Sequence, residues 1–224
     1  MVKKKGDERA RRQPATEVVV AGRNPSEQYG FVNTPIYRGS TVLAPTVADY
    51  LGKNARFVYG RRGTPTTEAL ANAITALEGG AGTALTSSGL SAITTAWTAV
   101  ARAGDHVLVA DTVYGPNRYF CDTLLAKWGV KVQYYDPTIG GGIVELFRPN
   151  TRAVFLESPG SLSFEMQDVP AIVAVARARR AITLLDNTWA TPIYFRPHDF
   201  GVDISIQAGT KYLGGHADAN LGTI

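Results

Sequence analysis

Residues 153–187 read AVFLESPGSLSFEMQDVPAIVAVARARRAITLLDN, and this stretch decides the fold. It opens on Ala153–Glu157, a short apolar run that reads as a buried strand. Val169–Arg180 follows with the pattern of an amphipathic helix, and Ile182–Asp186 is a second short β-rich run. A strand, a helix and a strand in so little chain make a βαβ unit, which implies a parallel sheet.

Working outward, the alternation continues on both sides. Asp203–Gln207 is one more short strand. Upstream, His106–Ala110 and Lys131–Tyr135 are strands, separated by a helix from about Asn117 to Trp128 that ends at Gly129. Gly89 to about Arg102 is an apolar helix, and Gly82–Thr86 a candidate strand before it. Thr64-Pro65 reads as an N-cap followed by proline at the first helical position. Leu70, Ala73, Ile74 and Leu77 then recur at helical spacing until Gly79-Gly80 stops the helix. The expected fold class is therefore α/β with a mostly parallel central sheet. Residues 16–62 show little regular pattern and are expected to form an extended N-terminal arm.

The chain has 224 residues and a formal charge of +4, which is local in origin. Lys3, Lys4, Lys5, Arg9, Arg11 and Arg12 stand against only Asp7 and Glu8, and the rest of the chain is formally neutral. The basic run is expected to be a solvated, disordered tail over residues 1–15, with no nucleic-acid partner. Cys121 is the single cysteine, so no intrachain disulfide can form, and its apolar setting reads as a small buried side chain. No apolar run approaches the ~20 residues that span a bilayer, so no membrane association is expected. The N-terminal charges lack the apolar core of a signal peptide, and a cytoplasmic setting is expected.

In parallel sheets, ligands bind where the carboxyl ends of strands run into loops. The polar, glycine-rich words sit at those places: Thr86-Ser87-Ser88-Gly89, Asp111-Thr112-Val113-Tyr114-Gly115, Asp186-Asn187-Thr188 and Gly209-Thr210-Lys211. None is a dinucleotide glycine fingerprint or a phosphate-binding loop ending in Gly-Lys-Ser/Thr. Three dispersed histidines and one cysteine give no zinc spacing, so no metal is expected. Ser87 and Ser88 lack the flanking glycines of a nucleophile elbow. What remains is a lysine delivered by a strand, Lys211, and a carboxylate closing another, Asp186. A lysine amine forms Schiff bases when burial and neighbouring positive charge free it from its proton.

Asp186-Asn187-Thr188-Trp189-Ala190, followed by Gln207-Ala208-Gly209-Thr210-Lys211-Tyr212-Leu213-Gly214-Gly215-His216, resembles the Cys/Met-metabolism family of pyridoxal-phosphate enzymes. Tyr59-Gly60-Arg61, Ser87-Ser88-Gly89-Leu90, Val113-Tyr114-Gly115 and Glu157-Ser158-Pro159-Gly160-Ser161 extend the resemblance over nearly the whole chain after the tail. The resemblance implies the large domain of the aminotransferase-like fold (fold type I) and the cofactor pyridoxal 5'-phosphate. It implies that Lys211 holds the cofactor aldehyde and then moves the substrate α-proton, and that Asp186 pairs with the pyridine nitrogen. Tyr114 would stack on the ring and assist proton transfer. Gly89 and Leu90 at a helix start would give backbone N–H groups to the phosphate, and Thr210 a hydroxyl. Tyr59 and Arg61 would reach the phosphate of a neighbouring subunit, which implies a homo-oligomer with a site shared across a dimer, and a homotetramer as its full size. Asn187 and Trp189 stay open between lining the substrate pocket and supporting Asp186.

Within the family the words sit closest to the branch that cleaves cystathionine by β-elimination to homocysteine, pyruvate and ammonia. The γ-acting members have asparagine and proline where Ser161-Leu162 stands, and often serine at Ala208. A γ-acting enzyme and a non-catalytic remnant remain the alternatives; an aminotransferase fits the words less well. Family members continue into a C-terminal small domain carrying an arginine for the substrate carboxylate. This chain is expected to be a fragment that stops before it, with an open sheet edge where the sheet is cut.

Overall fold

The computed structural model describes residues 12–52 and 55–224, so residues 1–11 of the expected basic tail lie outside the described residues. The chain forms two compact units that divide between Leu77 and Glu78.

In the first unit, Pro14–Val20 forms helix α1 and Val47–Gly52 helix α2, with single 3-10 turns at Pro25–Glu27 and Gly60–Arg62. The arm expected to be extended thus holds short helices, and α1 begins inside the stretch expected to be tail. Proline at its first position has no N–H to leave unpaired and its fixed φ suits a helix start. The long helix α3, Pro65–Glu78, starts as expected: the Thr64 hydroxyl accepts the Thr67 N–H at 3.2 Å. Arg56 ties the unit together through ion pairs to Glu27, at 3.2 Å, and to Glu68. From residue 12 through residue 73 no described residue is buried.

The second unit is built on five parallel strands: β2 (His106–Ala110), β3 (Lys131–Tyr135), β4 (Thr151–Glu157), β5 (Ile182–Asp186) and β6 (Ile204–Ile206), in the spatial order β3-β2-β4-β5-β6. All five residues of β2 are buried, so both faces of the sheet are covered, as parallel sheets require. Helix α4 (Gly89–Val100) covers β4 through Trp97, whose fully buried ring stacks on Phe155 at 5.3 Å between centroids. Helix α6 (Val169–Ala178) packs Ile172, Val173 and Ala176 into the same core. Helix α5 (Gly115–Phe120) starts earlier than its sequence pattern indicates and widens into a π turn at Cys121–Leu125. Cys121 is buried there, and burial pushes its thiol up to about 12, which makes it a packing residue.

Beyond β6 the sheet continues differently from expectation. Strand β1 is only Leu85–Thr86, paired antiparallel with β7, Gly222–Thr223. On its other side β7 joins Gln207, with mutual N–H to carbonyl bonds between Gln207 and Thr223 of 3.0 and 2.9 Å. The last residues are therefore paired on both sides, and the open edge expected there does not form. Glu78 backs this junction: its buried carboxylate accepts from Ser205 Oγ at 3.2 Å and from Gln207 Nε2. Among the described residues no helix is long and apolar enough to cross a membrane.

Candidate active site

The strand order reverses between β2 and β4: β3 lies on one side of β2, while β4, β5 and β6 follow on the other. At such a switch point the loops after neighbouring strands diverge and leave a crevice at their carboxyl ends. Here the crevice is a cleft of about 680 Å³, within the size range of small-molecule sites. Tyr114 after β2, Glu157 at the end of β4, Asp186 at the end of β5, and Thr210 and Lys211 after β6 all line it. Gly89 and Leu90, the first residues of α4, close one wall.

The sheet register places two carboxylates side by side. Glu157 and Asp186 are paired residues of β4 and β5, so one carboxylate ends each strand and both face the cleft. Asp186 is buried, and its Oδ1 accepts the Thr188 N–H at 3.0 Å. Burial pushes it above the ordinary aspartate range, while the Thr188 hydroxyl and N–H and the Lys211 charge pull the other way. Glu157 accepts the Tyr114 N–H on Oε2 at 2.7 Å. Burial and the neighbouring Asp186 charge push it up to about 8, against the Tyr114 N–H and Lys211. Two carboxyls this close in a low-dielectric site do not both ionise readily at neutral pH.

Lys211 extends from a tight turn in which its N–H donates to the Ala208 carbonyl at 3.0 Å. Its Nζ lies 5.4 Å from the centroid of the Tyr114 ring. The surroundings differ from the sequence argument: Lys211 is exposed to the cleft, and its charged neighbours are the two carboxylates rather than a cation. The reason lies in strand order, which puts β5, ending in Asp186, next to β6, and β4, ending in Glu157, one strand further. Thr188 links these parts, since its hydroxyl accepts the Ala208 N–H at 2.8 Å while its own N–H holds Asp186.

The first turn of α4 suits an anion. Ser88 Oγ caps the Ser91 N–H at 3.1 Å and the Ser88 carbonyl takes the Ala92 N–H. The N–H groups of Gly89 and Leu90 precede the first possible intrahelical acceptor and carry the positive end of the dipole. Gly89 has no room for a side chain, because an added Cβ would stand 2.6 Å from Ala208 Cβ. Ser88 Oγ, acting as an acceptor in its cap, keeps its own proton to give. Thr210 lines the cleft as expected, but its hydroxyl is engaged by Leu221: it donates to the carbonyl at 3.2 Å and accepts the N–H at 3.0 Å.

Six of the eight site residues expected from sequence therefore meet in one cleft. Tyr59 and Arg61 belong to the first unit, where the Arg61 guanidinium lies 4.9 Å over the Tyr59 ring and both line another cleft, of about 620 Å³. Trp189 lines the cofactor-sized cleft, flanked by Phe164 at 5.1 Å and Tyr212 at 6.0 Å between ring centroids. Asn187 instead supports the strand end from behind, giving Nδ2 to the Phe195 carbonyl at 3.0 Å. Glu157, Thr188 and Ser88 were not among the expected site residues. Glu157 closes an apolar strand just as Asp186 does, and that parallel was the available signal. Among the described residues no group of three or more His, Cys, Asp or Glu could hold a metal ion.

The parts fit a pyridoxal phosphate: an amine at the cleft wall, a carboxylate on its floor, an aromatic face beside the amine, and an anion site at a helix start. Comparison with known proteins agrees. The family model for Cys/Met metabolism PLP-dependent enzymes matches residues 15–224. Relatives in Rhizobium johnstonii and Saccharomyces cerevisiae, both provisionally named cystathionine β-lyases, are 54% identical over 209 and 207 residues, covering 93% and 92% of this chain and 53% and 61% of theirs. Cystathionine β-lyase MetC of Escherichia coli is 46% identical over 93% of this chain and 54% of its own. Among solved structures, metB from Corynebacterium glutamicum superposes with a TM-score of 0.89 at 28% identity, and cystathionine γ-lyase from Lactobacillus plantarum with 0.88 at 30%, each over 95% of this chain and 54% of the other. The chain thus spans about half the length of the proteins it matches. With its cleft, its fold type I sheet and this match in hand, the chain belongs to the Cys/Met metabolism family of pyridoxal-phosphate-dependent enzymes.

Proposed function

We propose that the chain carries the cofactor-binding part of a carbon–sulfur lyase that converts L-cystathionine and water to homocysteine, pyruvate and ammonia. The observation that carries this reading is the meeting of Lys211, Tyr114 and Asp186 in one cleft at the switch point of the sheet. Pyridoxal phosphate, when bound, supplies an electron sink for the charge left when a Cα proton is removed.

The roles of the side chains follow from their positions. Asp186 offers a negative charge on the cleft floor, where a ring nitrogen would keep its proton. Lys211 would hold the cofactor aldehyde, and its free amine would take the substrate α-proton as general base. Tyr114 provides a flat apolar face beside that amine and a hydroxyl for proton transfer. The N–H groups of Gly89 and Leu90 and the hydroxyl of Ser88 would hold the phosphate. Thr210 must turn its hydroxyl away from Leu221 to join them. Departure of the thiolate from Cβ then breaks the carbon–sulfur bond.

Ala208 and Ser161-Leu162, which line this cleft, support β- over γ-elimination. A relative from Wolbachia pipientis, 40% identical, is named an L-alanine/L-glutamate racemase, a reaction that begins with the same Cα proton removal. The unburied arm supports a homo-oligomer: Tyr29, Ile36, Leu43, Val47 and Tyr50 expose apolar surface that a second copy would cover, bringing Tyr59 and Arg61 to its phosphate. Cytoplasmic residence and a tetramer belong to the same reading. Incubating the enzyme with cystathionine and pyridoxal phosphate and identifying the keto acid tests it: pyruvate is expected. α-Ketobutyrate would make it γ-acting, and a D-amino acid with no keto acid would make it a racemase.

A further inference from the structure

The cleft contains a second carboxylate whose position serves no role assigned so far. Glu157 ends β4 beside Asp186, and its Oε2 holds the main-chain N–H of Tyr114 at 2.7 Å. Tyr114 stands just before α5, where its own N–H has no helical acceptor, so this bond fixes the angle at which the chain leaves β2 for the helix. Moving the Tyr114 main chain would move its ring, which lies 5.4 Å from Lys211 Nζ. The groups facing Glu157 are Asp186 from β5, Lys211 from the loop after β6, and the Tyr114 N–H from the loop after β2.

Asp186 has two donors from Thr188 to support its charge; Glu157 has one, from Tyr114. When the pair holds one proton, the better-supported carboxylate keeps the charge. We propose that Glu157 is a positioning residue of this site: it pins the Tyr114 main chain and carries the proton of the carboxyl pair, leaving a single negative charge on Asp186 for a cofactor ring nitrogen. The inference rests on the cofactor reading above only for that last role.

The test separates the two. In the full chain without cofactor, the Tyr114 amide is followed by NMR across pH 6–9.5, with its hydrogen exchange measured at pH 6.5. Its chemical shift is expected to titrate with a midpoint near 8, as Glu157 ionises. Glu157→Gln keeps an acceptor for the N–H and cannot titrate, so the midpoint vanishes while exchange stays within about 3-fold of the parent. Glu157→Asp keeps a carboxyl too short to reach, and exchange of the Tyr114 amide accelerates by ~10-fold or more. Asp186→Asn lowers the midpoint by removing the like charge.

An unchanged titration in Glu157→Gln, or an unchanged exchange rate in Glu157→Asp, overturns the assignment. Cofactor titrations on the same variants then read the last role. Glu157→Gln binds pyridoxal phosphate within about 3-fold of the parent at pH 6.5, and Asp186→Asn loses ~10-fold or more. Equal losses in the two would remove that role from Glu157. Failure of the parent to bind at all would sink the proposed function and leave the amide result standing.

Discussion

Gly89→Ala probes the contact on which the two halves of the cofactor cleft depend. Gly89 begins α4, and Ala208 lies three residues before Lys211. An added Cβ at position 89 would lie 2.6 Å from Ala208 Cβ and 3.0 Å from Ala208 Cα. Carbon atoms rest at about 3.5–4.0 Å, so Ala208 must retreat by roughly 1 Å. Its freedom to do so is small. The Ala208 N–H is held by Thr188 Oγ1 at 2.8 Å, the Lys211 N–H holds the Ala208 carbonyl at 3.0 Å, and Gln207 just before it is bonded to Thr223. Overpacking at a site this well tied costs about 1–3 kcal/mol. The strain falls where the phosphate site meets the lysine turn, so cofactor affinity falls together with stability.

Urea unfolding followed by circular dichroism measures the stability, and absorbance titration the affinity. Ala208→Gly removes the nearer of the two clashing carbons and is expected to rescue at least half of the loss. A double-mutant cycle should therefore return a coupling of about 1 kcal/mol or more. A coupling within about 0.3 kcal/mol of zero would refute the contact and, with it, the account of why glycine stands there.

Two further outcomes concern stability. Glu78 is buried against Ser205 and Gln207, and burial raises it above the usual 4.5. A carboxyl raised on folding binds its proton more tightly in the folded chain. Its contribution is therefore greatest below the ordinary carboxylate range and declines as pH climbs through 4.5 toward the raised value. Glu78→Gln should flatten the decline in urea midpoint across that window; an unaltered slope would show that Glu78 titrates normally. Trp97→Phe empties part of a fully buried site and takes from Asn117 Oδ1 the indole N–H that it meets at 3.0 Å, leaving it the weak Cys121 thiol donor at 3.5 Å. It should cost about 2–4 kcal/mol in urea unfolding, and a loss under about 1 kcal/mol would mean the core re-forms around the smaller ring.

The strands legible in the sequence were those with continuous apolar runs between clear stops. His106–Ala110 and Ile182–Asp186 form as read because their apolar residues are buried on both faces. Lys131–Tyr135 forms as read at the sheet edge, where the stop at Gly129 bounds a strand that is only partly buried. Gly82–Thr86 shrank to two residues, since its partner β7 is itself only two residues long. α1 escaped notice because a helix with no buried residue carries no apolar stripe to detect. Lys211 and Asp186 stood out, since each follows or closes a readable strand. Glu157 closed a readable strand too, yet its partnership with Asp186 depends on the register of β4 against β5, and the apolar pattern of two neighbouring strands does not say which of their residues stand opposite each other. The same blindness hid the environment of Lys211, which three strands from separate parts of the chain create together.

The central claim places the amine of Lys211 at the carbon of a bound aldehyde. Reducing the chain with borohydride in the presence of pyridoxal phosphate, then mapping the modified residue by peptide mass spectrometry, tests this directly. The expected result is a pyridoxyl group on Lys211 alone, absent from Lys211→Ala. Label spread over Lys127, Lys131 and the N-terminal lysines, with Lys211 unmodified, would contradict it.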